Sequence, residues 1–315
     1  EIGINWGVKK PILSDKDIKA PLLIDSDVNF SLKVLVTGAD GQLGYDIVKR
    51  LDELEIDVIG TKRVDFDLTN KDQIRDFIKD MKFDIIIHCA AYTAVDKAED
   101  EKELCYAVNV EGTRNIAEVA KEFNARMVYI STDYVFDGSG SEPHNENEET
   151  NPINYYGYTK EFGEQIVKTL IDKHFIVRTS WVYGINGNNF VKTMLQLAKT
   201  KDEISVVCDQ IGSPTYTKDL AKFVVELIQT DNFGVYHGVN EGYCSWYEFA
   251  ENIFNKSQIQ MKVIPVSSSE YQTKALRPIN SRLSSENTEN ANIEKLPQWN
   301  DALSRFLKEL LDRED

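Results

Sequence analysis

One segment constrains the fold of this chain more than any other. A short apolar run, Lys33-Val34-Leu35-Val36-Thr37, passes directly into Gly38-Ala39-Asp40-Gly41-Gln42-Leu43-Gly44, and the helical spacing Leu43, Ile47, Val48, Leu51, Leu54 begins before the glycines end. Glycines spaced Gly-x-x-Gly-x-x-Gly between a strand and a helix let the backbone turn tightly. They also let a pyrophosphate approach the N–H groups at a helix start, where negative charge is favoured. The alternation continues through Asp57-Val58-Ile59-Gly60, a helix around Lys71–Lys79, Asp84-Ile85-Ile86-Ile87-His88, a helix over Asn109–Phe123, and Arg126-Met127-Val128-Tyr129-Ile130. Strands that are apolar on both faces and joined by helices require a parallel sheet covered on each side. The predicted fold is therefore α/β: a doubly wound parallel (Rossmann) sheet with a smaller α/β substrate-binding region.

After Ile176-Val177-Arg178-Thr179 the alternation becomes less regular. This divides the chain into a tail or linker (1–32), a dinucleotide-binding domain (33–180), and a mainly substrate-binding region (181–315) with some elements returning to the sheet. The loop Asp137–Asn154, rich in Gly, Ser, Pro, Asn and Glu, reads as surface or lid. With 36 Lys and Arg against 52 Asp and Glu, the net charge of −16 disfavours nucleic acid and anionic membrane surfaces. No apolar run approaches the roughly 18 residues needed to span a bilayer, and the first residues, Glu1-Ile2-Gly3-Ile4-Asn5-Trp6, do not read as a secretory signal. Cys89, Cys105, Cys208 and Cys244 form no Cys-x-x-Cys pair, so neither a disulfide framework nor a zinc site is expected, and the expected compartment is cytoplasmic.

In NAD-specific sites an acidic residue about twenty positions past the glycine loop binds the ribose 2′-hydroxyl. Here Thr61-Lys62-Arg63 stand there. A hydroxyl and two cations suit a 2′-phosphate, so NADPH is preferred, with NADH left open. Farther on, Tyr156 and Lys160 are four apart at the start of a helical stretch and share a face. An ammonium beside a phenol favours phenolate and would bring its pKa down toward the working range of a proton donor. An ordinary amphipathic helix has the same spacing. What distinguishes this pair is its combination with Ile130-Ser131-Thr132-Asp133-Tyr134-Val135-Phe136, hydroxyl residues at the C-terminal end of a core strand, where open α/β sheets bind ligands.

With these segments the chain resembles the extended short-chain dehydrogenase/reductase superfamily and, within it, the dTDP-4-dehydrorhamnose reductases. The resemblance runs from about Lys33 to the C-terminus. It also includes Cys89–Glu99, Asn109-Val110, Arg178–Gly184, Asn188-Asn189-Phe190, Asp209–Thr215 and Arg277–Leu283. It implies that Tyr156 is the general acid, that Lys160 tunes it and binds the nicotinamide ribose, and that Thr132 holds the carbonyl oxygen of a dTDP-4-keto-6-deoxy sugar. For the cofactor it implies Gly38, Gly41, Gln42, Leu43 and Gly44 at the pyrophosphate, Asp67 and Leu68 near the adenine, and Ala90, Ala91, Tyr92 and Asn109 along its length. Tyr92 stands where some relatives have histidine. Asp133, Trp181, Asn188, Asn189 and Arg277 are implied on the substrate side. Some members dimerise through a magnesium ion bridged by glutamates. The matching positions here hold Asp46 and Lys218, and a lysine repels a cation, so no metal site is carried over, while a homodimer stays open.

The first residues resemble something else, the C-terminal tail of dTDP-4-dehydrorhamnose 3,5-epimerase, in Gly3-Ile4-Asn5-Trp6 and Pro11-Ile12-Leu13-Ser14-Asp15-Lys16-Asp17. That implies an association with a 3,5-epimerase. Two other readings stay open: an epimerase or dehydratase of another nucleotide sugar, since Asp133 follows Thr132, and a non-catalytic NADP-binding regulatory subunit. Turnover separates the last from an enzyme.

Overall fold

The strand–glycine–helix unit supplies the strand next to one edge of a six-stranded parallel sheet in the computed structural model, which describes residues 32–313. The expectations for the tail fall outside the described residues, apart from Leu32. The first strands are β1 (Lys33–Thr37), β2 (Asp57–Thr61), β3 (Ile85–His88), β4 (Arg126–Thr132) and β5 (His174–Thr179). Four shorter ones follow: β6 (Val182–Tyr183), β7 (Glu203–Val207), β8 (Ile211–Gly212) and β9 (Thr215–Tyr216). Next, β10 (Gly234–His237) returns to pair with β5, giving the order β10-β5-β4-β3-β1-β2. The last are β11 (Cys244–Ser245), β12 (Lys262–Val266) and β13 (Asn280–Ser281).

Every strand of the large sheet is parallel to its neighbours, with Thr37 opposite Thr61 and His88, and Thr132 opposite Thr179. The register aligns these C-terminal ends along one edge. Ile85, Ile86 and Ile87 are fully buried, as strands covered on both faces must be. On one face Leu35, Ile86, Met127 and Ile176 pack against helical Ile74, Ile116, Ile166 and Val167. On the other, the helix Gln42–Glu53 packs against Thr217–Leu227.

The helix expected over Asn109–Phe123 differs. It consists of Lys102–Tyr106, a wide π-turn over Ala107–Gly112, and Thr113–Glu122. The cause is local. The Asn109 carboxamide is buried and bonded to the Tyr92 backbone through both atoms (2.7 and 3.1 Å), and the Thr113 hydroxyl donates to the Asn109 carbonyl (2.6 Å).

The loop Asp137–Asn154 is irregular, yet it is not simply surface: His144, Glu146 and Asn154 are buried. The His144 ring stacks on Phe136 at 4.4 Å, the His144 backbone N–H donates to the Arg282 carbonyl, and the Asn280 side chain donates to the Glu142 carbonyl. Polar side chains with backbone partners bury this loop, so it leaves no apolar period to read.

Beyond β5 a second, aromatic core forms around Tyr183, Tyr216, Phe249 and Phe306. Its helix Trp246–Lys256 starts with a capping box, Ser245 and Glu248 each bonding the other's backbone N–H. No helix among the described residues is long and apolar enough to cross a membrane.

Candidate active site

The C-terminal edge of the large sheet opens into a cavity of about 1070 Å³. One wall is the glycine loop. Gly38 has φ +68°, and a Cβ there would fall 2.8 Å from the Ala90 nitrogen, while a side chain at Gly44 would collide with the Gly38 carbonyl. The helix Gln42–Glu53 begins at Gly41 with no side-chain cap. Its first-turn N–H groups therefore face the cavity without a side-chain acceptor, a cradle shaped and polarised for a diphosphate. Gln42 is already engaged through its side-chain oxygen, which accepts from Gly184 N and Asn189 Nδ2, both at 3.1 Å.

At the end of β2 the three expected residues separate in role. Thr61 is buried at the cavity wall, with its hydroxyl donating to the Val36 carbonyl (3.3 Å). Lys62 and Arg63 are exposed, line the cavity, and form no ion pair with another described residue. They are the free positive charge at this end. Asp67 is held below the usual carboxylate range by hydrogen bonds from the Thr69 backbone and hydroxyl.

The facing wall comes from the end of β4 and the helix Tyr155–Leu170. Thr132 donates to Asp133 Oδ1 (2.9 Å) and accepts from the Tyr134 backbone (3.2 Å). Tyr156 meets the edge of Tyr134, with ring centroids 6.0 Å apart at 80°. The helix comes this close because Gly157 lies against the Tyr134 carbonyl, and Asn154 caps it by accepting from Gly157 N (2.8 Å). Lys160, 3% exposed, places its ammonium 4.1 Å from the Tyr129 ring centre.

Desolvation dominates the electrostatics here. Burial lowers the Lys160 pKa to about 7 and raises Asp133 to about 6. The Tyr156 phenol is pushed up, first by burial and then by the charges of Asp133 and Tyr134. This corrects the expectation that Lys160 lowers it. In this structure the surroundings of the phenol outweigh the lysine. Cys89, which lines the cavity at the end of β3, is pushed up to about 12 by burial and stays a thiol.

The cavity gathers Gly38, Gly41, Gln42, Leu43, Gly44, Lys62, Arg63, Asp67, Leu68, Ala90, Ala91, Tyr92, Thr132, Asp133, Tyr156, Lys160, Trp181 and Asn188. The Tyr92 hydroxyl itself donates to Glu101 (2.7 Å). Three expected residues do not line the cavity. Asn109 holds the Tyr92 backbone from behind. Asn189 caps the helix Phe190–Leu197, accepting from Lys192 N (3.1 Å). Arg277 is committed to Asp96 through two bonds of 3.1 and 2.6 Å, a pairing between residues far apart in sequence. Tyr134 and Trp246 line the cavity without having been singled out as ligand contacts. The capping box at Ser245 marks a helix start, and with it the end of a helix where Trp246 sits.

A parallel sheet carrying a glycine cradle and free cations on one side of a cavity, and a threonine–tyrosine–lysine set on the other, defines a dinucleotide-dependent oxidoreductase of the short-chain dehydrogenase/reductase type. Within that class, the chain belongs to the family described as the RmlD substrate binding domain, which it matches over residues 32–312. It is 42% identical over 277 residues to the spore coat polysaccharide biosynthesis protein SpsK of Bacillus subtilis, spanning 88% of this chain and 97% of that one. To dTDP-4-dehydrorhamnose reductase of Aggregatibacter actinomycetemcomitans it is 42% identical over 264 residues, spanning 80% and 90%. Among solved structures, dTDP-4-dehydrorhamnose reductase of Bacillus anthracis in complex with NADP superposes with a TM-score of 0.86 at 46% identity, covering 89% of this chain and 99% of that one.

Proposed function

We propose that this chain is a dTDP-4-dehydrorhamnose reductase, reducing the C4 ketone of dTDP-6-deoxy-L-lyxo-4-hexulose to dTDP-L-rhamnose with NADPH. The observation that carries this reading is the convergence of Thr132, Tyr156 and Lys160 on one cavity with the glycine cradle and with Lys62 and Arg63, which form no ion pair among the described residues. NADPH, when bound, supplies a hydride to the ketone carbon.

The chain's own residues do the rest. The first-turn N–H groups after Gly41 and the Gly38–Gly44 backbone take the diphosphate, and Lys62 and Arg63 take the 2′-phosphate. Thr132 orients the carbonyl oxygen. Tyr156 keeps its proton because its surroundings favour the neutral phenol, and gives it to the oxygen as charge develops there. Lys160, buried and anchored on Tyr129, supplies the ammonium that stabilises the phenolate left behind. Asp133, Trp181 and Asn188, which line the same cavity, take the sugar nucleotide. The cofactor part is 33–180 with β10 and its preceding helix, and the substrate part is the remainder of 181–315. A homodimer and an association with a 3,5-epimerase belong to the same reading, the first read by sedimentation equilibrium and the second by co-purification.

The test is NADPH oxidation with the keto sugar made in place by a separate epimerase. Tyr156→Phe is expected to lower kcat by roughly 10²–10⁴, with nucleotide binding retained. A folded wild-type protein that binds NADPH and turns over no 4-keto sugar would overturn the reductase reading in favour of a binding subunit.

A further inference from the structure

Among the described non-glycine residues that line the cavity, Trp181 stands out by its disfavoured backbone. Its φ is +48°, in the left-handed region that aromatic side chains rarely adopt. Its surroundings hold it there. The indole stacks on Trp246 with ring centroids 3.7 Å apart at 11°, and Trp246 is backed by Phe190 at 4.6 Å. The Trp181 edge lies over Gly212, where a Cβ would fall 2.7 Å from the ring. The Trp181 carbonyl accepts from Thr215 N (3.2 Å), and the neighbouring Ser180 hydroxyl donates to Ser213 (2.9 Å).

All these supports belong to the second region of the fold. Gly212 in β8 pairs with Cys244 in β11, two residues before Trp246, and the Ser245–Glu248 capping box fixes where the helix of Trp246 begins. Trp181 itself follows directly from β5, whose Thr179 pairs with Thr132. The indole plate is therefore anchored to the second region but stands beside the strand end that carries Thr132. Under the function proposed above, an aromatic face beside Thr132 is positioned for the sugar ring whose carbonyl Thr132 orients.

We infer that Trp246 is a positioning residue for the substrate. It holds Trp181 as a rigid plate against which the apolar face of the 6-deoxy pyranose packs, so the ketone is presented in one orientation. Gly212 serves the same plate by leaving room for its edge. The inference rests on the function proposed above. It assigns to Trp246 no contact with the cofactor.

The experiment compares wild type with Trp246→Ala, Trp246→Phe and Gly212→Ala, which disturb the plate from two sides. Removing an aromatic support that orients a reacting group is expected to raise KM for the keto sugar about tenfold in Trp246→Ala and Gly212→Ala. Trp246→Phe, which keeps a ring under Trp181, is expected to stay within about threefold of wild type. KM for NADPH should remain unchanged in all three. Binding of dTDP-L-rhamnose, followed by indole fluorescence, should weaken in parallel without depending on turnover.

An unchanged sugar KM in Trp246→Ala would overturn the inference. So would equal losses for sugar and NADPH, which mark a merely structural role, or a Trp246→Phe as impaired as Trp246→Ala. Should Trp246→Ala not fold, Gly212→Ala decides alone on the same two KM values. Wild-type protein that neither reduces the keto sugar nor binds dTDP-L-rhamnose would instead overturn the proposed function itself.

Discussion

Directly beneath the acid wall lies an ion pair whose loss should be felt through the whole sheet. Glu164 is fully buried and Arg178 is 2% exposed. Arg178 Nε and Nη2 each donate to a separate Glu164 oxygen at 2.8 Å, and the Ser131 hydroxyl adds a 2.7 Å bond from the residue preceding Thr132. Burial works to raise the Glu164 pKa, but Arg178, with Lys168 and the Ser131 hydroxyl, outweighs it and holds the carboxyl below its usual range. Glu164→Gln keeps the shape and removes the charge, leaving the guanidinium buried without its counter-ion. Breaking one side of a buried pair costs about 3–5 kcal/mol. At roughly 2–4 °C per kcal/mol for domains of comparable size, Tm should fall by roughly 6–20 °C.

Thermal unfolding followed by circular dichroism measures this directly. The double variant Glu164→Leu with Arg178→Met should lose less than the sum of the two single changes, because no unpaired charge remains. A depressed carboxylate stabilises the fold above its unfolded pKa and loses that contribution as pH falls through the folded one. The Tm gap between wild type and Glu164→Gln should thus hold from pH 8 to about 5 and close in acid. A gap under about 2 °C at pH 7, or one that widens on acidification, would refute the reasoning.

Three other outcomes follow from the cavity. Asp133 is buried, and its pKa is raised to about 6 by that burial. Its ionisation therefore opposes folding increasingly as pH rises from its unfolded value toward 6, and Asp133→Asn should unfold at higher temperature than wild type at pH 8, by up to roughly 3 kcal/mol. That advantage should vanish below about pH 4, and a variant less stable at pH 8 would contradict the burial argument. Lys62→Ala and Arg63→Ala should each raise KM for NADPH about tenfold while leaving NADH unchanged; equal losses with both cofactors, in steady-state assays, would remove the 2′-phosphate assignment. Gly44→Ala should abolish NADPH binding in isothermal titration while the second core stays folded, because its Cβ would meet the Gly38 carbonyl, and binding at wild-type affinity would show that the loop yields.

What the sequence made legible was short in range. β1, the glycines and the helix after them are one continuous segment, and periodicity with the absence of Cβ atoms reports on such a segment directly. Ile85–Ile87 could be read as a doubly covered strand because burial on both faces demands an unbroken apolar run. The features that escaped are pairings across long separations. Arg277 looks in sequence like a free cation suited to a diphosphate, and only the fold reveals Asp96 as its partner. The burial of His144 and the stacking of Trp246 on Trp181 depend likewise on which distant segments meet.

The chemistry of the acid wall was legible as residue types and not as charge states. From spacing alone, an ammonium one turn from a phenol should bring the phenol toward ionisation. The fold adds a stronger common cause. Tyr156 and Asp133 are shifted up and Lys160 is shifted down to about 7, where much of it is still an ammonium at neutral pH; each shift is toward the neutral form. Burial produces each of them, since removing water disfavours whichever form is charged. A wall biased toward neutrality keeps the phenolic proton in place on a tyrosine held against Tyr134, so the acid stays loaded at neutral pH. Under the proposed function, charge then becomes worth most where it forms during the reaction, on the ketone oxygen assigned to Thr132 and Tyr156, because the surroundings that exclude water also strengthen every field acting on that oxygen.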